Sequence, residues 1–267
     1  MNTPRTTASS GITVSVVLPV KDDAPELRRC LSALASQTRP ADEILVVDNA
    51  SSDASARTAR AAGARVERCD RPGIAAAAAH GYDCARGALI LRLDADCVPD
   101  RLWVETVIDA FERRPDVDAF SGGAHFIDGP RPLRSLLAAA YLASYAAVAA
   151  SALGHLPLFG SNMAFRREAW RHARARAHLD DPGLHDDLDL AFHLGERFRI
   201  RYLPGARMGM SMRPFASRSA FLRRIAAGFR TVLIHWPHDF PPIRWTRMAL
   251  RRLRDRVTVI AASRPRG

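Results

Sequence analysis

The stretch that decides the fold class is Ala88-Leu89-Ile90-Leu91-Arg92-Leu93-Asp94-Ala95-Asp96. It is an apolar run of strand length that leads directly into two carboxylates separated by one small residue. Such runs are typical of a strand in a parallel sheet that is covered on both faces. Asp94 and Asp96 offer hard oxygen ligands on a turn, which suit Mg²⁺ or Mn²⁺ together with phosphate oxygens. Two acids in a loop are a weak signal alone, and their position at a strand end strengthens it.

Strands and helices alternate on both sides of this stretch. The sequence predicts further strands over residues 12–18, 43–47 and 64–68, and helices over 24–37, 51–63, 74–86 and 100–114. This order predicts an α/β fold with an open, mostly parallel central sheet flanked by helices. Ligands bind such sheets outside the carboxyl ends of the strands. The polar residues at 19–22, 48–53 and 94–96 are therefore expected to meet at one edge of the sheet.

The second half of the chain is less regular. Strands are predicted over residues 117–126 and 199–203, a helix over 185–196, and two basic helices near the C-terminus. Residues 136–153 form an Ala-rich segment close to the ~20 apolar residues that a membrane span needs. Because serines and tyrosines interrupt it, we expect a buried or membrane-apposed helix rather than a span.

The charge of the chain is unevenly placed. The 267 residues carry a net charge of +11, and residues 197–267 hold 17 arginines against Asp239 and Asp255. This segment therefore has a net charge of +15, which leaves −4 for the first 196 residues. A basic C-terminal third suggests an anionic partner such as a phospholipid surface, a phosphorylated acceptor or nucleic acid. The alternative is a general arginine bias, since Lys21 is the only lysine.

The cysteines and the N-terminus bear on location. Cys30, Cys69, Cys84 and Cys97 show no Cys-x-x-Cys pair and no zinc-like spacing with histidine. Residues 1–11 read as a frayed polar tail without the apolar region of a signal peptide. We therefore expect reduced thiols and a cytoplasmic location.

Five segments, in their order and spacing, resemble the family 2 glycosyltransferases, which have the GT-A fold. They are VVLPVKD (16–22), ILVVDNASSD (44–53), LDAD (93–96), GSNMAFRR (160–167) and HDDLDL (185–190). The resemblance extends over residues 14–194, about two-thirds of the chain. It implies a GT-A domain over 12–212, with a nucleotide-binding half (12–114) and an acceptor-binding half (115–212). Residues 213–267 would then be a basic helical C-terminal extension.

The resemblance implies a site for a nucleotide-diphosphate sugar and for Mn²⁺ or Mg²⁺. The residues implied to bind the donor are Pro19, Val20, Asp22, Asp48, Asp53, Arg71, Asp94, Ala95 and Asp96. Asp48 would accept a hydrogen bond from the base, and Asp94 and Asp96 would be the metal ligands. Asp53 could instead cap a helix, and Arg71 could instead be a surface arginine.

On the acceptor side, the resemblance assigns the catalytic base to the acidic pair at 186–187. Asp187 would take the proton of the acceptor hydroxyl during a single displacement that inverts the anomeric carbon, with Asp186 beside it. The structural alternative is a pair of acids that opens a helix, where the helix dipole favours them. Gly160, Ser161 and Asn162 would form the floor of the acceptor site.

Two segments depart from the family pattern. Family members often carry an asparagine in the third helix, where this chain has Ala77-Ala78-Ala79-His80-Gly81. Many also supply a metal-binding histidine after the base helix, and residues 206–212 contain none. We expect diphosphate and water to complete the metal shell, or Arg207 or Arg213 to offset the diphosphate charge.

The sequence thus predicts an inverting, metal-dependent glycosyltransferase that uses a UDP- or GDP-linked sugar. The acceptor would be a glycan of the cell envelope or a lipid-linked molecule. A non-catalytic sugar-nucleotide or membrane-binding protein of the same fold is the alternative. A nucleotidyltransferase is disfavoured because the loop after the first strand, PVKDD (19–23), is not glycine-rich. Nucleic acid is a weaker option, prompted by Trp236 and Trp245 among the C-terminal arginines.

The C-terminal helices are predicted to lie on a membrane. Phe221, Leu222, Ile225 and Phe229 alternate with arginines in the manner of basic amphipathic helices that bind anionic lipid. We therefore expect peripheral attachment at the inner face of the plasma membrane.

Overall fold

The computed structural model describes residues 11–262 except residue 216. The strands are β1 (Val14–Val20), β2 (Glu43–Asp48), β3 (Arg65–Arg68), β4 (Leu89–Arg92), β5 (Val98–Pro99), β6 (Ala119–Phe126), β7 (Met163–Arg166) and β8 (Ile200–Met210). The helices are α1 (Ala24–Ala35), α2 (Ser55–Ala61), α3 (Ile74–Cys84), α4 (Trp103–Arg113), α5 (Arg134–Leu153), α6 (Arg167–Ala173), α7 (Asp186–Leu194), α8 (Arg218–Ile234) and α9 (Pro241–Ala262). The expected tail at 1–11 lies, apart from Gly11, outside the described residues.

The strands form one sheet in the order β3-β2-β1-β4-β7-β6-β8-β5. Strands β3, β2, β1 and β4 are parallel to one another, as the alternation of strands and helices predicted. Strand β6 is parallel to β8. Strands β7 and β5 run antiparallel to their neighbours. The open, mostly parallel sheet expected from the sequence is therefore confirmed.

Alternate residues of the buried strand β1 face the two sides of the sheet. Val16 and Leu18 pack with α1 and α4, whereas Val17 packs with α3, α6 and α7. This arrangement follows from the two-residue period of a strand and explains why β1 is apolar without interruption. The sheet is thus covered on both faces, which leaves its edge at the carboxyl ends of the strands for a site.

Strand β1 continues past the proline at which it was expected to end. Pro19 pairs in register with Val47, and the strand ends at Val20. The neighbouring strand β4 pairs with β1 only as far as Val17 opposite Arg92. The missing N–H of Pro19 therefore falls beyond the last pair with β4, where its loss breaks no ladder hydrogen bond.

Strand β8 is longer than expected and ends at Met210 instead of Leu203. It pairs with β6 along its whole length, with an irregularity between Gly122 and Gly123, and its end pairs with β5. Residues 206–210, where the family's metal-binding histidine was sought, thus belong to a strand of the sheet, next to the short edge strand β5.

Helix α5 is apolar and largely exposed. Among the described residues, the segment Arg131–Leu153 is the one helix long and apolar enough to cross a membrane by length and composition, and 22% of its apolar window is buried. Its buried residues are Ala138, Ala149, Ala152 and Leu153. The expectation of a buried helix is therefore not met, and the membrane-apposed alternative stays a prediction.

Arg244 is one of the buried residues that hold the basic C-terminal helices against the rest of the chain. The guanidinium of Arg244 in α9 is fully buried and donates to the carbonyl oxygens of Leu153 and Phe192, each at 2.8 Å. It also pairs with Asp239 at 3.0 Å. Since Leu153 ends α5 and Phe192 lies in α7, Arg244 joins three helices.

Replacing Arg244 with Ala is expected to lower the free energy of unfolding by about 3–5 kcal/mol, because two buried carbonyls lose their donor and Asp239 keeps only its pair with Arg247. Chemical denaturation measures this change. The exposed Arg223 of α8 is the matched control, and Arg223→Ala is expected to stay within about 0.5 kcal/mol of the unaltered chain. Equal stability of the two variants would contradict the role given to Arg244.

Candidate active site

Three loops meet at the carboxyl ends of β1, β2 and β4, as expected for a parallel sheet. Pro19 and Val20 are buried at the end of β1, so they shape the floor of this edge. Asp48 is buried at the end of β2 and its Oδ1 accepts the N–H of Ser51 at 3.2 Å. Ala95 is buried in the turn after β4. The sequence-predicted residues on these strand ends are therefore brought together.

Asp22 and Asp53 join the first two loops to each other. Asp22 has a left-handed backbone (φ 51°), and its Oδ1 accepts the N–H of Ser52 at 2.6 Å, which lowers the pKa of this carboxyl. Asp53 accepts the first N–H of α1, from Ala24, at 2.9 Å, and the N–H of Ser55 at 2.8 Å. The contacts of Asp53 therefore favour the capping alternative, because it accepts the first N–H of both α1 and α2.

A third loop, over residues 69–73, is held by a residue that sequence reasoning missed. The buried amide of Asn49 donates to the carbonyls of Cys69 and Arg71 and accepts the N–H of Gly73. Arg71 itself is half exposed and pairs with Asp180, in the loop before α7. Arg71 therefore bridges the loop after β3 and the loop before α7.

The turn after β4 has the chemistry of a divalent cation site. The carboxylates of Asp94 and Asp96 come within 4.8 Å of each other and are partly exposed. Burial and the neighbouring charge of Asp94 raise the pKa of Asp96, so a cation at this place relieves repulsion. Two partly exposed carboxylates fit a hard ion such as Mg²⁺ or Mn²⁺ that keeps several waters.

Arg213 contacts the acidic turn at residues 94–96. Among the described residues, Arg207 makes no contact with this turn. The guanidinium of Arg213 lies 3.0 Å from Asp96 and also pairs with Asp23. Its side chain is half exposed. Arg207 is exposed on β8. Of the two arginines considered from the sequence, Arg213 is the one placed beside the acidic turn.

Arg92 links the acidic turn to α7. Its side chain is 2% exposed, and its guanidinium lies 2.9 Å from Asp94 Oδ1 and 3.3 Å from Asp186 Oδ2. Burial opposes the charge of Arg92, but Asp186 and Asp94 outweigh it and raise the pKa of the guanidinium. A charge in this position could have been noticed, because Arg92 is the one charged residue within an otherwise apolar predicted strand.

Residues 160 and 161 each hydrogen-bond a carboxylate from one of the two acidic segments. Ser161 Oγ donates to Asp94 Oδ2 at 2.6 Å, and the N–H of Gly160 donates to Asp187 Oδ2 at 2.8 Å. A Cβ on residue 160 would lie 1.9 Å from Nη1 of Arg92. Only glycine fits here, because the guanidinium occupies the space of a side chain.

The side chain of Asn162, expected on the floor of the acceptor site, is buried and bonded within the protein. Its buried amide donates to the carbonyls of Gly123 and Ala206, each at 2.8 Å, and accepts the indole N–H of Trp103 at 2.9 Å. Each described polar atom of the amide thus has a protein partner. The geometry makes Asn162 a positioning residue for the loop, and its assignment as an acceptor contact loses its support.

Asp186 and Asp187 begin α7. Burial raises the pKa of Asp186, and Arg92 opposes this shift. The Oδ1 of Asp187 caps the helix through the N–H of Leu188 at 2.8 Å, while its Oδ2 takes the N–H of Gly160. His185 lies 3.9 Å from Asp187. The acidic pair therefore opens a helix and also faces the turn that carries Asp94.

A mixed sheet with an acidic turn after its fourth strand, facing an acidic pair at the start of a helix, defines a glycosyltransferase of the GT-A fold. The chain belongs to glycosyl transferase family 2, whose sequence profile matches residues 15–173. The match ends before Asp186 and Asp187.

A curated relative supports this assignment. The chain is 33% identical over 121 residues to the glycosyltransferase AglE of Haloferax volcanii. The matched region comprises 42% of this chain and 40% of the relative, so it spans less than half of the length of either protein.

Solved structures share the fold. A mycobacterial protein superimposes with a TM-score of 0.64 at 21% identity, covering 84% of this chain and 74% of the other. Glucosyl-3-phosphoglycerate synthase from Mycobacterium tuberculosis, bound to Mn²⁺, UDP and phosphoglyceric acid, gives 0.61 at 18% identity (84% and 78% covered). Mannosyl-3-phosphoglycerate synthase from Rubrobacter xylanophilus gives 0.58 at 21% identity (84% and 74% covered).

Replacing Gly160 with Ala is expected to lower the free energy of unfolding by about 1–3 kcal/mol, because the new methyl group overlaps the buried guanidinium of Arg92. Chemical denaturation measures the loss. Gly11, around which nothing lies within 4 Å, is the control position, and Gly11→Ala is expected to have little effect. Full stability of Gly160→Ala would show that Arg92 can move aside.

Proposed function

We propose that this glycosyltransferase is metal-dependent, uses a UDP- or GDP-linked sugar, and inverts the anomeric carbon as it transfers the sugar to an acceptor hydroxyl. One observation carries the proposal: consecutive residues of one loop, Gly160 and Ser161, bond Asp187 and Asp94 respectively. A metal ligand and a base candidate are thereby fixed relative to each other. Such positioning is what a displacement between donor and acceptor requires.

On the donor side, Asp94 and Asp96 would hold Mn²⁺ or Mg²⁺, with the loops after β1 and β2 around the nucleotide. The bound ion would neutralise the negative charge that develops on the departing diphosphate. The mycobacterial synthase binds Mn²⁺ and UDP-glucose, which supports this choice of donor and ion. Arg213 already neutralises Asp96 and would be free to meet a diphosphate once the ion is bound.

On the acceptor side, Asp187 would act as the base. As the acceptor oxygen bonds to the anomeric carbon, its proton passes to a carboxylate oxygen of Asp187 while the bond to the diphosphate breaks. The N–H of Gly160 orients this carboxylate. Asp186 is paired with Arg92, so its charge is offset and it serves to fix the guanidinium rather than to take the proton.

A non-catalytic sugar-nucleotide binder of the same fold is the second candidate. It is favoured by the absence of the family's metal-binding histidine from residues 206–212. A binder has no use for a base held by a backbone N–H, so the bonds of Asp187 favour the enzyme. The experiment on Asp187 separates the two candidates.

Replacing Asp187 with Asn is expected to lower the rate of sugar transfer by about 10²–10⁴-fold, because the amide cannot accept the hydroxyl proton. Donor affinity should be unchanged, since the donor ligands are intact. A panel of nucleotide sugars with Mn²⁺ or Mg²⁺, scored for binding and for slow hydrolysis, first identifies the donor. Transfer is then compared for the two proteins.

Asp109→Asn, on the exposed face of α4, is the matched control and should transfer at the unaltered rate. Transfer by Asp187→Asn at the unaltered rate would show that another group is the base. Donor binding without hydrolysis or transfer in the unaltered protein would favour the non-catalytic candidate.

We further propose a cytoplasmic enzyme that attaches to the inner face of the plasma membrane, where its acceptor is a lipid-linked or cell-envelope glycan. Helix α8 exposes an apolar stripe at helical spacing: Leu222, Ile225, Phe229 and Leu233 are 41–61% exposed. Exposed apolar residues continue along α9. The neighbouring Arg223, Arg224 and Arg230 give α8 the composition of helices that bind anionic lipid.

The unaltered protein is expected to float with vesicles that contain anionic phospholipid at low salt, and to float less as salt is added. Phe229→Glu should remain largely unbound, because it places a charge in the apolar stripe. Leu102→Glu, at an exposed apolar position in the nucleotide-binding half, is the control and should float normally. Recovery of all unaltered protein in the unbound fraction would exclude membrane attachment.

A further inference from the structure

Three histidines and one aspartate converge in the interior, away from the acidic turn. They are His178 in the loop before α7, Asp189 and His193 in α7, and His235 at the end of α8. One ligand atom from each lies within 4.8 Å of the others. The side chains of Asp189, His193 and His235 are 4%, 11% and 3% exposed. The proposed glycosyl transfer uses none of them.

The hydrogen bond that His235 makes through Nδ1 determines its tautomer and leaves its Nε2 without a hydrogen-bond partner. Its Nδ1 lies 2.7 Å from the carbonyl oxygen of Thr231, which can only accept, so Nδ1 carries the hydrogen. In the neutral ring Nε2 then presents a lone pair, and it points at Asp189 Oδ1 from 3.3 Å without a hydrogen-bond partner. Nε2 of His193 is likewise buried and without a partner. A lone pair of His235 Nε2 turned toward this carboxylate repels it unless a cation lies between them.

The spacing of these atoms matches a shared ion. Four ligands about 2.1 Å from a tetrahedral ion lie roughly 3.4 Å from one another. Asp189 Oδ1 lies 3.3 Å from His235 Nε2 and 3.6 Å from His193 Nε2, which agrees with this separation and is long for a hydrogen bond. His178 Nδ1 lies 2.7 Å from Oδ1, so this loop residue, the most exposed of the four, has to move outward by roughly 0.7 Å to join.

We propose that His178, Asp189, His193 and His235 form a closed tetrahedral site for a divalent transition metal ion, with zinc as the best match. Imidazole ligands favour zinc over the hard ions of the acidic turn, and four protein ligands in a buried setting are typical of structural zinc. The hydrogen bond from His235 to Thr231 is the kind of support that fixes a metal-binding imidazole. The ion ties the helix that begins with Asp186 and Asp187 to the end of α8.

The test uses the full chain, purified without a polyhistidine tag from zinc-supplemented culture. Elemental analysis is expected to find about one zinc per chain, and His235→Gln should lose it. His238→Gln, three residues away and exposed, is the matched control and should keep the metal. Asp96→Asn should also keep it, because the proposed site is separate from the acidic turn. Loss of zinc in Asp96→Asn but not in His235→Gln would overturn the proposal.

A second measurement does not depend on the folding of a variant. Cobalt(II) added to chelator-treated unaltered protein should produce the intense visible absorption of tetrahedral cobalt at one equivalent. Zinc should raise the melting temperature of the same protein by about 5 °C or more. Folded protein with no zinc, no such absorption and an unchanged melting temperature would overturn the proposal, whatever the outcome of the transfer assays.

Discussion

The buried guanidinium of Arg92 is the interaction on which the site depends. A charge taken out of water is tolerated only when it is paired, and the partners of Arg92 come from two distant parts of the chain. Asp94 lies in the turn directly after the strand that carries Arg92, and Asp186 begins α7. Strand β4 and helix α7 therefore cannot separate without leaving an unpaired charge inside the protein. The guanidinium also excludes any side chain at residue 160, which lets that backbone N–H reach Asp187.

The structure of residues 12–114 was largely predictable from the sequence, because the strands there are apolar runs and polar residues follow them directly. The apolar pattern predicted the strands and helices. The rule that ligands bind at the carboxyl ends of parallel strands predicted the sheet edge where Asp48 and Asp94 lie. What could not be predicted were contacts between residues far apart in sequence. Asp22 with Ser52, Asn49 with the loop at 69–73, and Arg213 with Asp96 all depend on how the loops lie against each other. Local patterns contain no information about such pairs.

The structure of residues 115–212 was harder to predict for a related reason. Strand β8 contains a proline and a glycine and pairs with β6 through an irregularity, so its apolar pattern is broken after Leu203. The family match also ends at residue 173, whereas the acidic pair, Arg213 and α8 follow it. Asn162 shows the remaining difficulty: its residue type suits contact with a sugar, and only the tertiary structure reveals that Trp103 and two carbonyls already use it.

The hydrogen bonds of Arg244 cross the domain boundary that the sequence predicted at residue 212. That boundary follows a change in charge, yet the guanidinium of Arg244 completes the hydrogen bonding of carbonyls in α5 and α7. The helices beyond the boundary thus share buried hydrogen bonds with α5 and α7, which lie before it. A chain shortened at this boundary would be an incomplete domain, with its acceptor-side helices unsatisfied. The basic charge after residue 212 thus describes the surface of this segment, whereas the buried hydrogen bonds of Arg244 show that the domain includes it.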